Sequence, residues 1–250
     1  MKINKNKRIG EVNYNTYGNK MTIIKYNTFK DIIIKFKDGS TKRTNYDAFK
    51  KGQVLSLYDR TVYGVGFVGE GKYKKNIEKD KYHKWTGMIA RCYKKIHEKR
   101  EKNYKNCTVC DEWHNYQNFA KWYDENYYEI GNEKMCLDKD ILHKNNKIYS
   151  PKNCIFVPDK INLLFTKSNA IRGNLPIGTC FAKDTNRYQS NCKYNGASIY
   201  LGQYNTPEKA FYVYKNYKEN LIKQIADSYK EKIPQKLYNA MYRYEVEITD

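Results

Sequence analysis

The segment 137–158, LDKDILHKNNKIYSPKNCIFVP, constrains the fold of this chain more than any other stretch. Its pattern predicts a strand that carries Asp138, a turn rich in Asn and Lys, and a second strand. Ser-Pro-Lys-Asn-Cys then leads into an apolar run and a short helical stretch, DKINLLF. Two short strands joined by such a turn fold back on each other, so Asp138 and Asn153 are expected to lie close together in a compact β-turn-β finger.

The charge of the chain predicts a polyanionic partner. Of 250 residues, 47 are Lys or Arg and 27 are Asp or Glu, which gives a formal charge of +20. The 26 tyrosines fit the same partner, because aromatic rings among cations stack on bases. An AT-rich genome would also supply Lys, Asn, Tyr and Ile through its codons, but codon bias alone would enrich Asp and Glu too. The composition therefore favours nucleic acid.

The sequence shows no sign of a membrane or secreted protein. No stretch reaches about eighteen consecutive apolar residues, and no apolar segment follows the charged start MKINK. We therefore expect a cytoplasmic location. Seven cysteines are an odd number, which in a reducing compartment favours free thiols or metal ligands over a disulfide framework.

The order of the segments predicts a multi-domain α+β protein, whose first domain is a β-rich module over 1–70. Two β-rich runs flank Asn27-Thr28, and a turn at Asp38-Gly39 leads to a third strand and a short helix. TVYGVGFVGEG then reads as a further strand-like piece, and its glycines suggest a hinge near residue 70.

The second predicted domain, 71–168, contains two helices ahead of the finger. The spacing predicts an amphipathic helix over 81–96 and another over 115–126. The apolar stripe of the second helix is expected to be core. The apolar positions of the first helix are Trp85, Met88, Ile89, Cys92 and Ile96, and those of the second are Tyr116, Phe119, Trp122 and Tyr123.

Three blocks of this domain occur in an order typical of one protein family. They are WTGMIARCY, CTVCDEWHNYQNFAKWY, and the finger with its LDKDI and YSPKNC. Together they resemble the phage-type HNH endonucleases, whose blocks read roughly W-x-x-M-x-x-R-C, V-C-x-x-W-x-x-F-x-x-F and L-D-[RK]-[ID]…Y-S-P-E-N-C. The resemblance covers about residues 80–165. It implies a ββα-metal core and metal-dependent hydrolysis of DNA.

The resemblance implies that Asp138 and Asn153 hold one divalent cation, Mg²⁺ or Mn²⁺, since both side chains offer hard oxygen ligands. It places no general base, because the usual His position is Lys139. A lysine with an ordinary pKa is protonated at neutral pH, although it could contact phosphate or assist the leaving group.

Other side chains are candidates for the base that activates water. Asp140 is expected on the same strand and the same face as Asp138, where it could act as base or as a second ligand. His143 in the turn and His114 in the preceding block are further candidates. The sequence therefore leaves the catalytic set as Lys139, Asp140 and His143, with His114 as an outside candidate.

The cysteines offer an alternative metal site. Cys107 and Cys110 have the spacing of zinc ligands, and Cys136 and Cys154 flank the finger, so four thiolates could close a structural Zn²⁺ site. Against this, a single CxxC is common by chance, and a buried Cys often serves as a small core residue.

The third predicted domain, 169–250, has three short strands between 178 and 204 and then a helix. Asn195-Gly196 is a strong hairpin signal, and Thr206 followed by Pro207 is typical of a helix start. Gly178, RYQSNCKYNG, IYLGQY and TPEKA with Tyr214 resemble the ethylene-response-factor-like DNA-binding domain, also found in phage HNH proteins and integrases. Thr179-Cys180 replaces the Arg that usually follows the Gly-Val pair of that family, so its base specificity does not carry over.

This second resemblance implies that the three-stranded sheet enters the major groove of double-stranded DNA. The side chains it implies as DNA contacts are Lys183, Arg187, Gln189, Asn191, Lys193 and Tyr200.

Together the resemblances imply a phage-encoded endonuclease of the homing type that cuts a recognised duplex site in the bacterial cytoplasm. Two alternatives stay open. An inactive HNH scaffold could bind DNA as a phage regulator or as a counter-defence inhibitor of a host system. The basic surface could instead meet an acidic host or phage protein.

Overall fold

The computed structural model describes residues 8–94, 104–166 and 174–250. The chain is α+β, with helices and several separate sheets. It divides into two compact units. The first consists of Met1–Glu125 with Ile148–Ser150, and the second of Asn126–Lys147 with Pro151–Asp250. In the described ranges, no helix combines the length and the apolar character needed to cross a bilayer.

The first unit begins with an antiparallel sheet of four strands in sequential order. Alternate apolar residues of its long strands, such as Met21, Ile23, Ile32 and Ile34, are fully buried. The predicted strands, turn and helix are confirmed, and a short N-terminal strand is added. The elements are β1 (Val12–Tyr14), β2 (Lys20–Thr28), β3 (Asp31–Phe36), β4 (Thr41–Thr44) and α1 (Tyr46–Lys50).

The glycine-rich stretch that follows forms no regular strand, contrary to the prediction. It makes only isolated bridges, Val62 with Gly66 and Phe67 with Asn115. A Cβ added at Gly69 would lie 2.2 Å from the Asn115 side chain, and one at Gly71 would lie 2.3 Å from the Gln117 side chain. Gly69 and Gly71 thus allow these side chains to pack closely against the backbone. The domain boundary predicted at residue 70 falls inside the first unit.

Both predicted helices ahead of the finger are confirmed. Trp85, Met88, Trp113 and Phe119 have no exposed surface, so these elements pack through their aromatic stripes. Ile96 of the predicted stripe lies outside the described residues. The elements are α2 (Lys79–Tyr93), β5 (Thr108–Val109), a 3₁₀ turn (Asp111–His114) and α3 (Tyr116–Asn126).

The finger pairs differently from the prediction. Its first strand, β6 (Met135–Asp138), pairs antiparallel with β8 (Ile155–Pro158), which leads directly into helix α4 (Asp159–Leu164). The strand expected as its partner, β7 (Ile148–Tyr149), instead pairs parallel with β5 inside the first unit. Every residue of β8 is buried, so pairing β6 with this apolar run buries more surface than pairing with β7.

The predicted three-stranded sheet and helix are confirmed in the second unit. Positive φ angles of 49° at Asn195 and 78° at Gly196 give the hairpin turn, and Thr206 accepts a hydrogen bond from Lys209 N as the helix N-cap. The strands lie in the order β11-β10-β9. The elements are β9 (Thr179–Ala182), β10 (Arg187–Tyr194), β11 (Ala197–Tyr204), α5 (Pro207–Ser228) and α6 (Gln235–Tyr242).

One hydrophobic core joins the finger to this sheet and its helices. Ile155 and Ile161 of the finger belong to the same buried cluster as Phe211, Ile222 and Leu237. The predicted boundary at 168 lies outside the described residues, but the core spans residues on both sides of it. The finger and the three-stranded sheet are therefore parts of one folded unit, whereas the sequence predicted two separate domains.

Candidate functional site

The β6–β8 ladder positions the two candidate metal ligands. Asp138 is the last residue of β6 and pairs with Ile155, and Asn153 comes two residues before Ile155 on the turn leading into β8. The register therefore places Asp138 and Asn153 at the same end of the finger, as the sequence predicted.

Asp138 is a half-buried carboxyl group that shapes the turn behind it. Its Oδ1 accepts hydrogen bonds from Asp140 N at 2.9 Å and from Ile141 N at 2.7 Å. Burial, with a further contribution from the negative charge of Asp140, raises the pKa of Asp138 to about 6. A cation beside this carboxyl would offset both effects, so its surroundings suit a metal ligand.

An asparagine relay connects Asn153, the second candidate ligand, to the bend after β6. Asn153 Nδ2 donates to Asn146 Oδ1 at 3.0 Å, and Asn146 Nδ2 donates to Lys139 O at 2.7 Å. The relay uses the amide nitrogen of Asn153, and the amide oxygen is the atom of this side chain that suits a hard cation. Sequence reasoning missed Asn146, although the Asn-rich turn was the available signal.

Lys139 and Asp140 form an ion pair with each other. Lys139 is only 6% exposed, and its Nζ lies 2.8 Å from Asp140 Oδ2. The expectation that Asp140 continues the strand on the face of Asp138 is wrong, because β6 ends at Asp138. The two backbone hydrogen bonds to Asp138 Oδ1 turn the chain out of the strand at this point.

The two histidine candidates have different surroundings. His143 is exposed on the bend of the finger, where its carbonyl accepts a hydrogen bond from Asn146 N. His114 belongs to the first unit and is 8% exposed, and its Nδ1 lies 3.5 Å from Asp111 Oδ1. Burial lowers the pKa of His114 below its ordinary value. Within the described ranges, neither imidazole takes part in the hydrogen bonds that Asp138 accepts or in the Asn153–Asn146 relay.

The donor set of the finger fits a magnesium-like ion better than zinc. Within the described ranges, no three His, Cys, Asp or Glu side chains cluster closely enough to hold a metal. Mg²⁺ commonly keeps several waters and takes one or two protein oxygens, which Asp138 and Asn153 can supply. Zinc in structural sites takes four protein ligands.

The four cysteines of the alternative zinc site form no disulfide within the described residues. Cys107 and Cys110 belong to the first unit, and Cys136 and Cys154 to the second. Cys136 Sγ donates to Asp159 Oδ1 at 3.1 Å, and Cys154 is fully buried. No described group of metal ligands includes them, so the zinc site stays a prediction without structural support.

The predicted DNA contacts lie mainly on one face of the three-stranded sheet. On β10, Ser190 and Cys192 are fully buried and face the core, so the alternate residues point outward. Tyr200 pairs with Asn191 and therefore shares that face. Lys183 lies exposed in the β9–β10 turn. The outward contacts are Arg187, Gln189, Asn191, Lys193 and Tyr200.

The register adds two side chains to this face that sequence reasoning missed. Gln203 and Cys180 both pair with Gln189, one on each neighbouring strand, so they share its face. Strand alternation alone does not reveal Gln203, because a register shift between Ser190 and Asn191 changes the phase along β11.

Comparisons of the chain with protein-family models, with curated proteins and with solved structures gave no match.

Proposed function

We propose that the chain is a phage-encoded, metal-dependent DNA endonuclease that binds duplex DNA and hydrolyses a phosphodiester in the bacterial cytoplasm. The observation that carries the proposal is the shared core of the second unit. It builds the Asp138–Asn153 finger and the outward cationic sheet face on one scaffold. The partner is double-stranded DNA and the cofactor is Mg²⁺ or Mn²⁺.

The charge of the sheet supports the DNA-binding part of this proposal. None of β9, β10 and β11 contains Asp or Glu, and Arg187 and Lys193 stand exposed at the two ends of the outward row on β10. Cations at such positions suit phosphate contacts, whereas polar side chains between them suit base edges.

The chemistry of the finger supports the hydrolytic part. A bound divalent cation would stabilise negative charge on the scissile phosphate and the leaving oxygen. Asp138 and Asn153 would bind that cation, and the Asn146 relay orients the Asn153 amide. Lys139 is held by Asp140, so it supplies positive charge near the site and no proton-accepting group.

The Lys139–Asp140 pair also favours a second candidate function. Lys139 and Asp140 are two of the three candidate catalytic side chains, and each is the other's ion-pair partner. The finger could therefore be an inactive scaffold in a DNA-binding regulator or counter-defence protein. Metal dependence separates the two functions, because the regulator would bind DNA equally with and without Mg²⁺ and never cut it.

Fluorescence anisotropy with a labelled duplex in EDTA tests the shared claim of DNA binding. Affinity is expected to fall steeply between about 50 and 200 mM salt, because each phosphate contact releases counterions. Arg187→Gln and Lys193→Gln should each reduce the slope of log K against log salt by about one. Affinity that does not change with salt would overturn DNA binding, and with it both candidate functions.

A further inference from the structure

The outward face of the sheet carries its amide side chains in ordered rows. Gln203, Gln189 and Cys180 lie opposite one another across the three strands. Tyr200 and Asn191 form the next row. Side chains of directly paired residues point to the same face, so all five are presented together.

Two of these amides make weak hydrogen bonds with the Cys180 thiol. Asn191 Nδ2 lies 3.5 Å from Cys180 Sγ, and Cys180 Sγ lies 3.8 Å from Gln189 Oε1. Within the described part of the chain, Asn191 Oδ1, Gln189 Nε2 and the whole Gln203 amide have no hydrogen-bond partner. The face therefore presents both hydrogen-bond donors and acceptors that other groups can use.

Charged side chains bracket these amides. Arg187 and Lys193 lie on the same face of β10, six residues apart, a span of about 20 Å. The major groove is about 12 Å wide, so the span reaches phosphates on both sides of it. Arg187 is the one Arg of the three strands, and its place at the end of the row leaves the amides in the middle of the face.

We propose that Gln189, Asn191 and Gln203 make the chain selective for adenine in the major groove. This rests on the proposed DNA binding and adds the base that is recognised. A side-chain amide has one acceptor and one donor side by side, which match the N6 amino group and N7 of adenine, whereas guanine is matched by Arg or Lys. The outward amides thus specify base pairs that contain adenine, and the flanking cations contact the backbone.

Selection of bound duplexes from a randomised pool, performed with the full chain in EDTA, tests this proposal without requiring cleavage. The selected sites should contain adenine at fixed positions. Asn191→Ala and Gln189→Ala should each weaken binding to the selected duplex about 5- to 150-fold and relax the preference at a different position. Ser198→Ala is the matched control, because Ser198 pairs with Lys193 at the edge of the same face.

Replacing single adenines of the selected duplex by 7-deazaadenine removes the N7 acceptor and gives a second readout. Wild-type protein should lose affinity at the position that Asn191 contacts, and Asn191→Ala protein should lose nothing further there. Sites without adenine, or variants that weaken all sequences equally, would overturn adenine recognition while leaving DNA binding intact. Failure of the wild-type chain to enrich any duplex would overturn the proposed function itself.

Discussion

Without a metal, the Asp138 carboxylate is useful as a hydrogen-bond acceptor but unfavourable as a buried negative charge. Its Oδ1 accepts the two backbone hydrogen bonds that end β6, yet burial and Asp140 make its negative charge unfavourable and raise its pKa to about 6. If Asp138 only had to accept these two hydrogen bonds, an amide side chain would do so without the unfavourable charge. The unfavourable charge is what a cation-binding role would explain.

Asp138→Asn should therefore stabilise the metal-free protein. The amide oxygen can still accept the two backbone hydrogen bonds, and the unfavourable charge is removed. The pKa in the folded state exceeds the unfolded value of about 3.9, so the wild type loses stability as pH rises from about 4 to 6. Above pH 6 the variant should gain up to about 3 kcal/mol in urea unfolding with EDTA. Equal stability at pH 7.5 would show that the charge is not unfavourable.

The contribution of His114 to folding stability should change with pH in the opposite direction. Burial lowers its pKa in the folded state, so the unfolded chain takes up the proton first as pH falls. Wild-type protein should therefore lose stability below about pH 6.5, the ordinary His value. His114→Phe should remove that part of the loss. Urea unfolding of both proteins at pH 7.5 and pH 5 measures it, and parallel losses would contradict the assignment.

Several elements could be predicted from the sequence because their signals are local. Asn195-Gly196 and Thr206-Pro207 fix a hairpin and a helix start through backbone preferences of neighbouring residues. The partner of β6 could not be predicted, because the turn signal does not say whether β7 or the more apolar β8 closes the ladder. The β6–β8 register places Asp138 and Asn153 at the same end of the ladder, whereas the Lys139–Asp140 pair depends on where the strand ends.

Gly178 shows how a loop residue supports the sheet and helix. Its φ is +76°, its carbonyl accepts a hydrogen bond from Asn191 N at 2.8 Å, and an added Cβ would lie 2.1 Å from the ring of Tyr214 on α5. Gly178 and Tyr214 both belong to the motif that resembles the ethylene-response-factor-like domain. Their close approach explains why a glycine at 178 accompanies a tyrosine at 214.

Gly178→Ala should destabilise the protein by about 2–5 kcal/mol, combining backbone strain with displacement of the Tyr214 ring. Gly196→Ala is the matched control, since Gly196 has φ +78° with nothing within 4 Å of an added Cβ. It should cost only the strain, about 1–2 kcal/mol. Thermal unfolding of both variants compares them, and equal losses would show that the Tyr214 contact contributes nothing.

At the scale of the whole molecule, the finger and the sheet share one hydrophobic core, so we expect the second unit to unfold as one. Glu133 accepts a hydrogen bond from Tyr229 at 2.8 Å, and Lys144 forms an ion pair with Asp250 at 3.0 Å, so polar contacts reinforce the same connection. The proposed endonuclease should therefore cut at a fixed distance from the DNA sequence bound by the sheet.

Ile161→Ala should loosen the sheet although the substitution lies in the finger. Ile161 is fully buried in the shared core, and its truncation should cost about 2–5 kcal/mol. Leu163→Ala on the same helix is the control, because Leu163 is 61% exposed. Hydrogen exchange should quicken at the amides of β10 in the first variant and stay unchanged in the second. Unchanged exchange of β10 in both would mean that finger and sheet unfold separately.

The most direct test of the central claim is nicking of supercoiled plasmid by the purified chain with Mg²⁺ or Mn²⁺ and with EDTA. The wild-type protein is expected to nick only with the metal. Asp138→Ala and Asn153→Ala should abolish nicking while keeping the DNA affinity measured in EDTA, and exposed Lys152→Ala, next to Asn153, should cut normally. Nicking by Asp138→Ala at the wild-type rate would contradict the site, and binding without cutting under every metal condition would leave the finger as an inactive scaffold.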